Sequence, residues 1–493
     1  MLDEIRKGII VKNVLDMKIP EILPYDKTSA SSIFEYSKGL LKKTLREFVW
    51  EGYQPKKGKG GLGQMVENIY FFLETNSNPS SDFSEAGLEL KCTPLKKNKR
   101  DEYLIKERLV CNMINYFEVV KEDFEHSHFY LKCQLMLLLF YLHRSNCDKL
   151  DLKFLFSVLW KLPEKDLLII RNDYEIIKAK IERGEAHLLS EGDTEYLGAC
   201  RKGQKGEPPV SQPNSEIMAP KRAFSLKTAY MRTVLEYINN SKKNAVSNFE
   251  YKVTDYQLVT TEELKRQSFD SIILDKLNRH KGKSYIQLCN IVGKRYDTAK
   301  HKYALLSSRL IDSNVGNVNQ TEEFKKAGLQ LKSIRIEQDG SINESMSFEN
   351  IDYQEVWETK NWYDSRLYDI FSGRFLFAIF KADGGTLKYT NKKGEIVTEN
   401  TYTYSDAFFW TMPIEDLDSA EKYWLHIKKM IYDNHIDPKY FNSINHKRFH
   451  VRPKAEVAKD LAINPNGGEA KKYCYWFNNS YVTEIIKKYE ESK

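Results

Sequence analysis

The sequence predicts a mixed α/β fold, an α+β mixed sheet occurring twice in tandem, and three observations carry that expectation. The chain has 493 residues, more than one ordinary core organises. Asp82-Phe-Ser-Glu-Ala-Gly-Leu-Glu89-Leu-Lys91 returns in worn form as Glu323-Phe-Lys-Lys-Ala-Gly-Leu-Gln330-Leu-Lys332. Other pairs keep the same order: 114–120 with 351–357, 131–143 with 374–380, 200–203 with 451–454, and 224–227 with 475–478, the last two at a shared offset of 251 residues. A repeat carried through that many segments is a duplication, not a coincidence.

Residues 62–73 place apolar side chains at helical spacing, with Glu67 adjoining the apolar face, so the spacing predicts a helix that brings an acid to its rim. From 87 to 93, Leu88, Leu90 and Cys92 alternate with Glu89, Lys91 and Thr93, the period of a half-buried strand. Glu89 and Lys91 then point the same way. After the polar turn 96–100, residues 107–116 predict an antiparallel neighbour, and 131–143 a third strand. Residues 202–220, with their Gly and Pro, read as a mobile loop, and the polar stretch 239–248 as the boundary between halves. The expected division is a catalytic domain over 1–240, a linker over 241–261, and a second domain over 262–493 with a degenerate site.

With 41% hydrophobic residues the chain has material for packed cores, which excludes a disordered chain. Against 69 Asp and Glu stand 76 Lys and Arg, a net +7 that permits a polyanionic partner without requiring one. The best apolar run, 135–142, is too short for a bilayer, and the opening MLDEIRKGII lacks the apolar core of a secretory signal. A cytoplasmic protein with no membrane contact is expected. Seven scattered cysteines without a CxxC pair argue against a disulfide framework or zinc ribbon.

An acid, a second acid seven residues on and a lysine two beyond that form the ligand set of a metal-dependent nuclease, a weak signal alone in a chain with 29% charged residues. Its setting strengthens it: a strand aligns two members, a helical acid precedes them, and Gln330 neutralises the second copy. Taken singly, Glu67 reads equally well as a surface glutamate near a helix end. His126 and His128 complete no recognised metal spacing. His435, His446 and His450 with Asn445 lack the companions of a His-Asn-His nuclease, and 57–61 lacks the final Lys-Ser/Thr of a nucleotide loop.

Gly63–Glu67, Asp82–Pro94, Lys106–Tyr116, Val451-Arg-Pro-Lys-Ala455 and Tyr475-Trp-Phe-Asn-Asn479 together resemble the PD-(D/E)xK nucleases, and within them MutH and the Sau-type type II restriction endonucleases that cut GATC. The resemblance covers most of the chain. It implies that Asp82 and Glu89 bind Mg²⁺, that Glu67 helps at the metal site, and that Lys91 sits beside the attacking water. It also implies DNA contact by Arg452, Pro453, Lys454 and Trp476 in the second half and by Arg201, Lys202, Arg222, Ser225 and Lys227 in the first. Lys202 stands where the family has proline and Ser225 where it has an aromatic, which weakens base reading by the first half. For Arg201 alone, a phosphate contact or a solvated charge is as well supported as base readout.

Three functions compete: a type II restriction endonuclease cutting double-stranded GATC to 5′-phosphate and 3′-hydroxyl ends, a mismatch-repair nickase, and a non-cutting GATC-binding regulator. The first is favoured because an intact acid pair beside a decayed copy implies selection for cutting, and a second half does not suit a single-domain nickase. The second half is expected to bind DNA without cutting it, either as an allosteric site or as a clamp that brings two GATC sites together. The chain is expected to be a monomer that dimerises on DNA.

Overall fold

Glu89–Lys97 (β1), Tyr103–Ile105 (β2), Leu109–Met113 (β3), Leu135–Leu142 (β4), Phe154–Lys161 (β5), Leu197–Arg201 (β6), Val210–Gln212 (β7), Ser215–Ala219 (β8), Arg222–Leu226 (β9) and Ala245–Ser247 (β10) are the strands of the first half in a computed structural model of the chain. The structure describes residues 20–50, 61–74, 80–98, 101–203, 207–250, 257–299, 301–391, 393–437, 440–441, 447–454 and 460–493. The opening segment, residues 57–60, Asn445, His446 and Ala455 lie outside the described residues. Two units are resolved, Met1–Leu189 with Asp193–Thr261, and Ser190–Gly192 with Glu262–Lys493.

In the first unit a mixed sheet runs β10-β5-β4-β1-β2, and a three-stranded antiparallel sheet runs β3-β9-β6. β1 and β4 are parallel, with Glu89 opposite Met136, and Met136 through Phe140 are buried. An unbroken apolar strand of this kind is covered on both faces, which explains why 135–142 does not alternate. Helix Leu62–Ile69 buries Leu62, Val66 and Ile69 in the cluster that holds Phe83, Leu88 and Leu90, so its apolar face lies on the start of β1. Each such fully buried aliphatic side chain contributes roughly 1.5–3 kcal/mol.

Several expectations require correction. The antiparallel neighbour of β1 is the short β2, with Leu95 opposite Ile105; β3 instead pairs with β9, Leu109 opposite Leu226, in the second sheet. Residues His128–Cys133 are helical, because Ser127 caps the turn by accepting the Tyr130 N–H at 3.1 Å, and only Leu135–Leu142 is strand. The expected loop at 202–220 contains the β7–β8 hairpin, in which the buried Gln212 donates to Ile217 O at 2.6 Å and accepts from Ala186 N at 2.7 Å. Within the stretch expected as linker, β10 extends the first sheet in parallel with β5, and the Asn248 side chain bonds the Lys161 N–H and C=O, each at 2.7 Å.

The second unit's strands are Gln330–Ile336 (β11), Met346–Asn350 (β12), Arg374–Thr390 (β13), Ile396–Thr411 (β14), Phe449–Pro453 (β15), Leu461–Ile463 (β16), Glu469–Lys471 (β17) and Tyr473–Phe477 (β18). β11 is parallel to β13, with Gln330 opposite Phe375, and β12-β18-β15 repeats the antiparallel arrangement of β3-β9-β6. Single hydrogen bonds repeat as well. Tyr116 Oη donates to Pro220 O and Tyr353 Oη to Lys471 O, both at 2.5 Å. Tyr230 Oη donates to Asp166 at 2.9 Å and Tyr481 Oη to Asp416 at 2.6 Å.

The strand ladders shift one correspondence. Arg201 lies opposite Arg222, whereas Pro453 lies opposite Tyr473, the counterpart of Arg222 251 residues on. Arg201 therefore answers to Pro453 and Cys200 to Arg452. Lys202 answers to Lys454: their amides donate to Lys221 O at 2.8 Å and Lys472 O at 3.1 Å. A slip of one residue turns side chains to the opposite face, so this difference decides which of them can meet a ligand. Lysine is shared by the two units here, while the arginine at 452 has no partner in the first.

Candidate active site

The first unit gathers the expected acids and lysine at the start of β1. Asp82 stands in the turn before the strand, accepting the Leu90 N–H at 2.9 Å through Oδ2 and donating its own N–H to Glu89 Oε2 at 3.3 Å. Glu89 is 2% exposed. Its Oε1 accepts from Lys91 Nζ at 2.7 Å, as the shared strand face requires, and Lys91 also donates to Cys111 O of β3 at 2.9 Å. That bond ties β1 to the second sheet.

The electrostatics mark a site short of positive charge. Burial, followed by repulsion from Asp82 and Glu89, pushes the half-buried Glu67 up to about 7. Burial and then Glu89 push Asp82 above the usual carboxylate range. Burial works against the Lys91 ammonium, but the Glu89 carboxylate and its hydrogen bond outweigh it, and Lys91 stays above the ordinary lysine value.

Among the described residues no three His, Cys, Asp or Glu side chains close on one point as a ready metal cluster. Asp82 and Glu89 are joined by a hydrogen bond, and Glu67 lies within their field without completing a three-acid cage. Asp82 and Glu89 still fit Mg²⁺, which keeps several waters and binds through one or two carboxylates plus substrate phosphate.

Lys132 is a site residue that the sequence did not disclose. It ends helix His128–Cys133 and brings Nζ to 3.3 Å from Glu89 Oε1. Only the parallel pairing of β4 with β1 could have shown that a lysine four residues before Met136 would reach Glu89.

The residues expected to meet DNA separate by burial. Arg201 is exposed and Lys202 half-buried. Arg222, at 7% exposed, donates to Ala199 O at 2.7 Å and to Leu189 O; Lys227, at 8%, donates to Thr194 O; Ser225 is fully buried against Gly198. Those three side chains hold the second sheet to its surroundings, which takes them away from a ligand arriving from solvent. In the second unit Arg452, Pro453 and Lys454 are exposed, and Arg452 and Lys454 lie 5.5 and 5.9 Å from the centre of the Trp476 ring. His450 stacks on the same ring at 5.9 Å.

Two of the three acids have neutral counterparts, Gln330 for Glu89 and Ser307 for Glu67. Gln330 replaces Glu89 on the ladder. Phe324 matches Phe83, since Leu329 N donates to Phe324 O as Leu88 N does to Phe83 O, so Glu323 keeps the backbone place of Asp82. Its hydrogen-bonding role has passed to Asn319, whose Oδ1 accepts the Leu331 N–H at 2.7 Å. Ser307, on helix Lys302–Ile311, turns its hydroxyl to Tyr303 O at 2.8 Å.

The two candidate histidines of the first unit make separate pairs, His126 with Asp123 at 2.8 Å and His128 with Glu122. No described helix is long and apolar enough to cross a membrane.

Comparison with known proteins agrees with this geometry. The family model of the DNA mismatch repair enzyme MutH matches residues 71–173, the span holding Asp82, Glu89, Lys91 and Lys132. The chain is 31% identical over 384 residues to the type II restriction enzyme Sau3AI of Staphylococcus aureus, covering 75% of this chain and 73% of that protein. It is 26% identical over 183 residues to the DNA mismatch repair protein MutH of Shewanella woodyi, covering 36% of this chain and 77% of that protein. A relative matched at that identity over most of both chains, with an acid pair and lysine on the strand that the family model spans, places this chain in the MutH-like family of type II restriction endonucleases.

Proposed function

We propose that the chain is a Mg²⁺-dependent restriction endonuclease that hydrolyses phosphodiester bonds of double-stranded DNA at 5′-GATC-3′, leaving 5′-phosphate and 3′-hydroxyl ends. The observation that carries this reading is the buried Glu89 held between Lys91 and Lys132 and hydrogen-bonded to Asp82. Asp82 and Glu89 would hold a divalent cation, which would supply charge neutralisation for an anionic ester and lower the pKa of a water at the site. Lys91, kept as an ammonium, stabilises the negative charge that develops on the phosphoryl oxygens and orients the water; it does not take its proton. Glu67, poised near neutrality, is the group suited to accept that proton.

In this reading residues 1–240 cut and 262–493 bind. The exposed Arg452, with Lys454 and Trp476, is the best-placed guanine reader, since arginine pairs with guanine O6 and N7. In the first unit Arg201 and Lys202 remain as DNA contacts. Two binding units on one chain raise the effective concentration at paired sites. One cutting site per chain against two strands implies a monomer that pairs on DNA, and a two-site duplex should sediment as more than one chain per DNA.

Purified protein with plasmid and Mg²⁺ should give fragments ending at GATC. Nicked circles alone would indicate a strand nickase. Uncut plasmid would refute the reading.

A further inference from the structure

Two ammonium groups, at the positions that Lys91 and Lys202 hold in the first unit, meet in the second. Lys332 Nζ donates to Ser347 O at 3.0 Å and lies 4.8 Å from the centre of the Phe348 ring. Lys454 Nζ reaches Ser347 Oγ and Phe348 O, each at 3.3 Å. In the first unit the corresponding lysine is answered directly by Glu89 at 2.7 Å, and the second lysine, Lys132, also turns to that carboxylate. Asn319 makes the bond that Asp82 makes, Gln330 stands for Glu89 and Ser307 for Glu67, while the buried Glu323 keeps the backbone place of Asp82.

The charged groups acting on Lys332 are Lys454 and, with a smaller and opposite effect, Glu349, with the Cys474 thiol beside it. Burial and then Lys454 push Lys332 down to about 8. Lys91 moves the other way. A lysine ammonium has three donors, and Ser347 O uses one of those on Lys332. The surface continues outward through the exposed Arg452 and the Trp476 ring.

We propose that this counterpart of the metal site, in which an amide replaces Glu89, is a cradle for a DNA backbone phosphate, in which Lys332 and Lys454 neutralise the anion directly and the second unit grips DNA without a divalent cation. The proposal rests on the reading of the second unit as DNA-binding. Asp82, Glu89 and Glu67 repel a phosphate until a cation intervenes, whereas Lys332 and Lys454, opposed only by the smaller effect of Glu349, attract it as they stand. The substitution of acid by amide then changes what the site binds, from a metal to the ester itself.

The test is binding of a labelled GATC duplex by the full chain in EDTA, followed by fluorescence anisotropy across a salt series. Wild type should bind. Lys332→Met should weaken binding about tenfold or more and reduce the logarithmic salt slope by about one, the signature of one lost phosphate contact. Gln330→Glu, which returns an acid beside Lys332, should weaken binding in EDTA and recover it when Ca²⁺ is added, since hard oxygen ligands take that ion. If Lys332→Met and Gln330→Glu bind as wild type in EDTA while Arg452→Ala loses affinity, the second unit binds DNA by its outer surface and the cradle is refuted. If none of the three variants moves binding, the DNA-binding reading falls with it. Should Lys332→Met melt below wild type, the Gln330→Glu response to Ca²⁺ decides.

Discussion

Asn319 Oδ1 accepts the Leu331 amide at 2.7 Å, the same bond that Asp82 Oδ2 makes to the Leu90 amide at 2.9 Å. An aspartate and an asparagine thus do one structural task in the two units, and they differ in charge. Holding the strand end needs only an acceptor oxygen; holding a hard cation favours a carboxylate.

Asp82→Asn should therefore leave the fold intact and remove cutting. The melting temperature should stay within a few degrees of wild type, while the cleavage rate in Mg²⁺ falls roughly a thousandfold, the scale of losing one preorganised electrostatic group. Unfolding followed by intrinsic fluorescence and a plasmid cleavage time course separate the two effects.

The two lysines on Glu89 should differ. Lys91 lies at 2.7 Å and Lys132 at 3.3 Å from the same oxygen, and only Lys91 also bonds the second sheet through Cys111 O. Lys91→Met should lower the single-turnover rate about a hundredfold or more, and Lys132→Met about tenfold. Equal losses would show that Lys132 shares the chemistry.

Glu67 gives the metal-free protein a pH dependence of stability. Its folded pKa, about 7, lies above the unfolded value of 4.5, so the native state prefers the proton and its stabilisation is fully present below 4.5 and lost as pH rises through 7. The loss is about 2 kcal/mol, less than the full shift implies because the group is partly solvated. In EDTA the melting temperature should fall between pH 5 and 8, and Glu67→Gln should flatten that fall. Mg²⁺ should restore stability at the upper end.

Part of this site was legible in the sequence because it is local. Asp82, Glu89 and Lys91 share one turn and one strand and Glu67 sits on one amphipathic helix, so spacing set Glu89 and Lys91 on one face while the repeat and the resemblance singled out the group. What escaped depends on distant pairing. Lys132 reaches Glu89 only because β4 runs parallel to β1, and β3 finds its partner in β9, more than a hundred residues on. The match of Arg201 to Arg452 failed by one residue because ladder register is set by the partner strand, not by the segment itself. Burial misled most. Arg222 and Lys227 look like DNA contacts as letters, yet the fold spends both on backbone carbonyls.

The paired tyrosine–aspartate bonds should stabilise their own units. Tyr230→Phe and Tyr481→Phe leave the buried Asp166 and Asp416 one donor short, a cost of about 1–3 kcal/mol each. Asp416 also forms an ion pair with Arg448 at 3.1 Å. Urea unfolding of the two variants against wild type measures both.

Glu89 begins β1 in the first unit, and Gln330 holds the same ladder position in the second. Glu89→Gln, which gives the first unit the residue found at 330, should leave GATC plasmid uncut in Mg²⁺ while the full chain still shifts a GATC duplex in a gel. A normal ladder of GATC fragments from that variant would contradict the placement of the cutting site in the first unit.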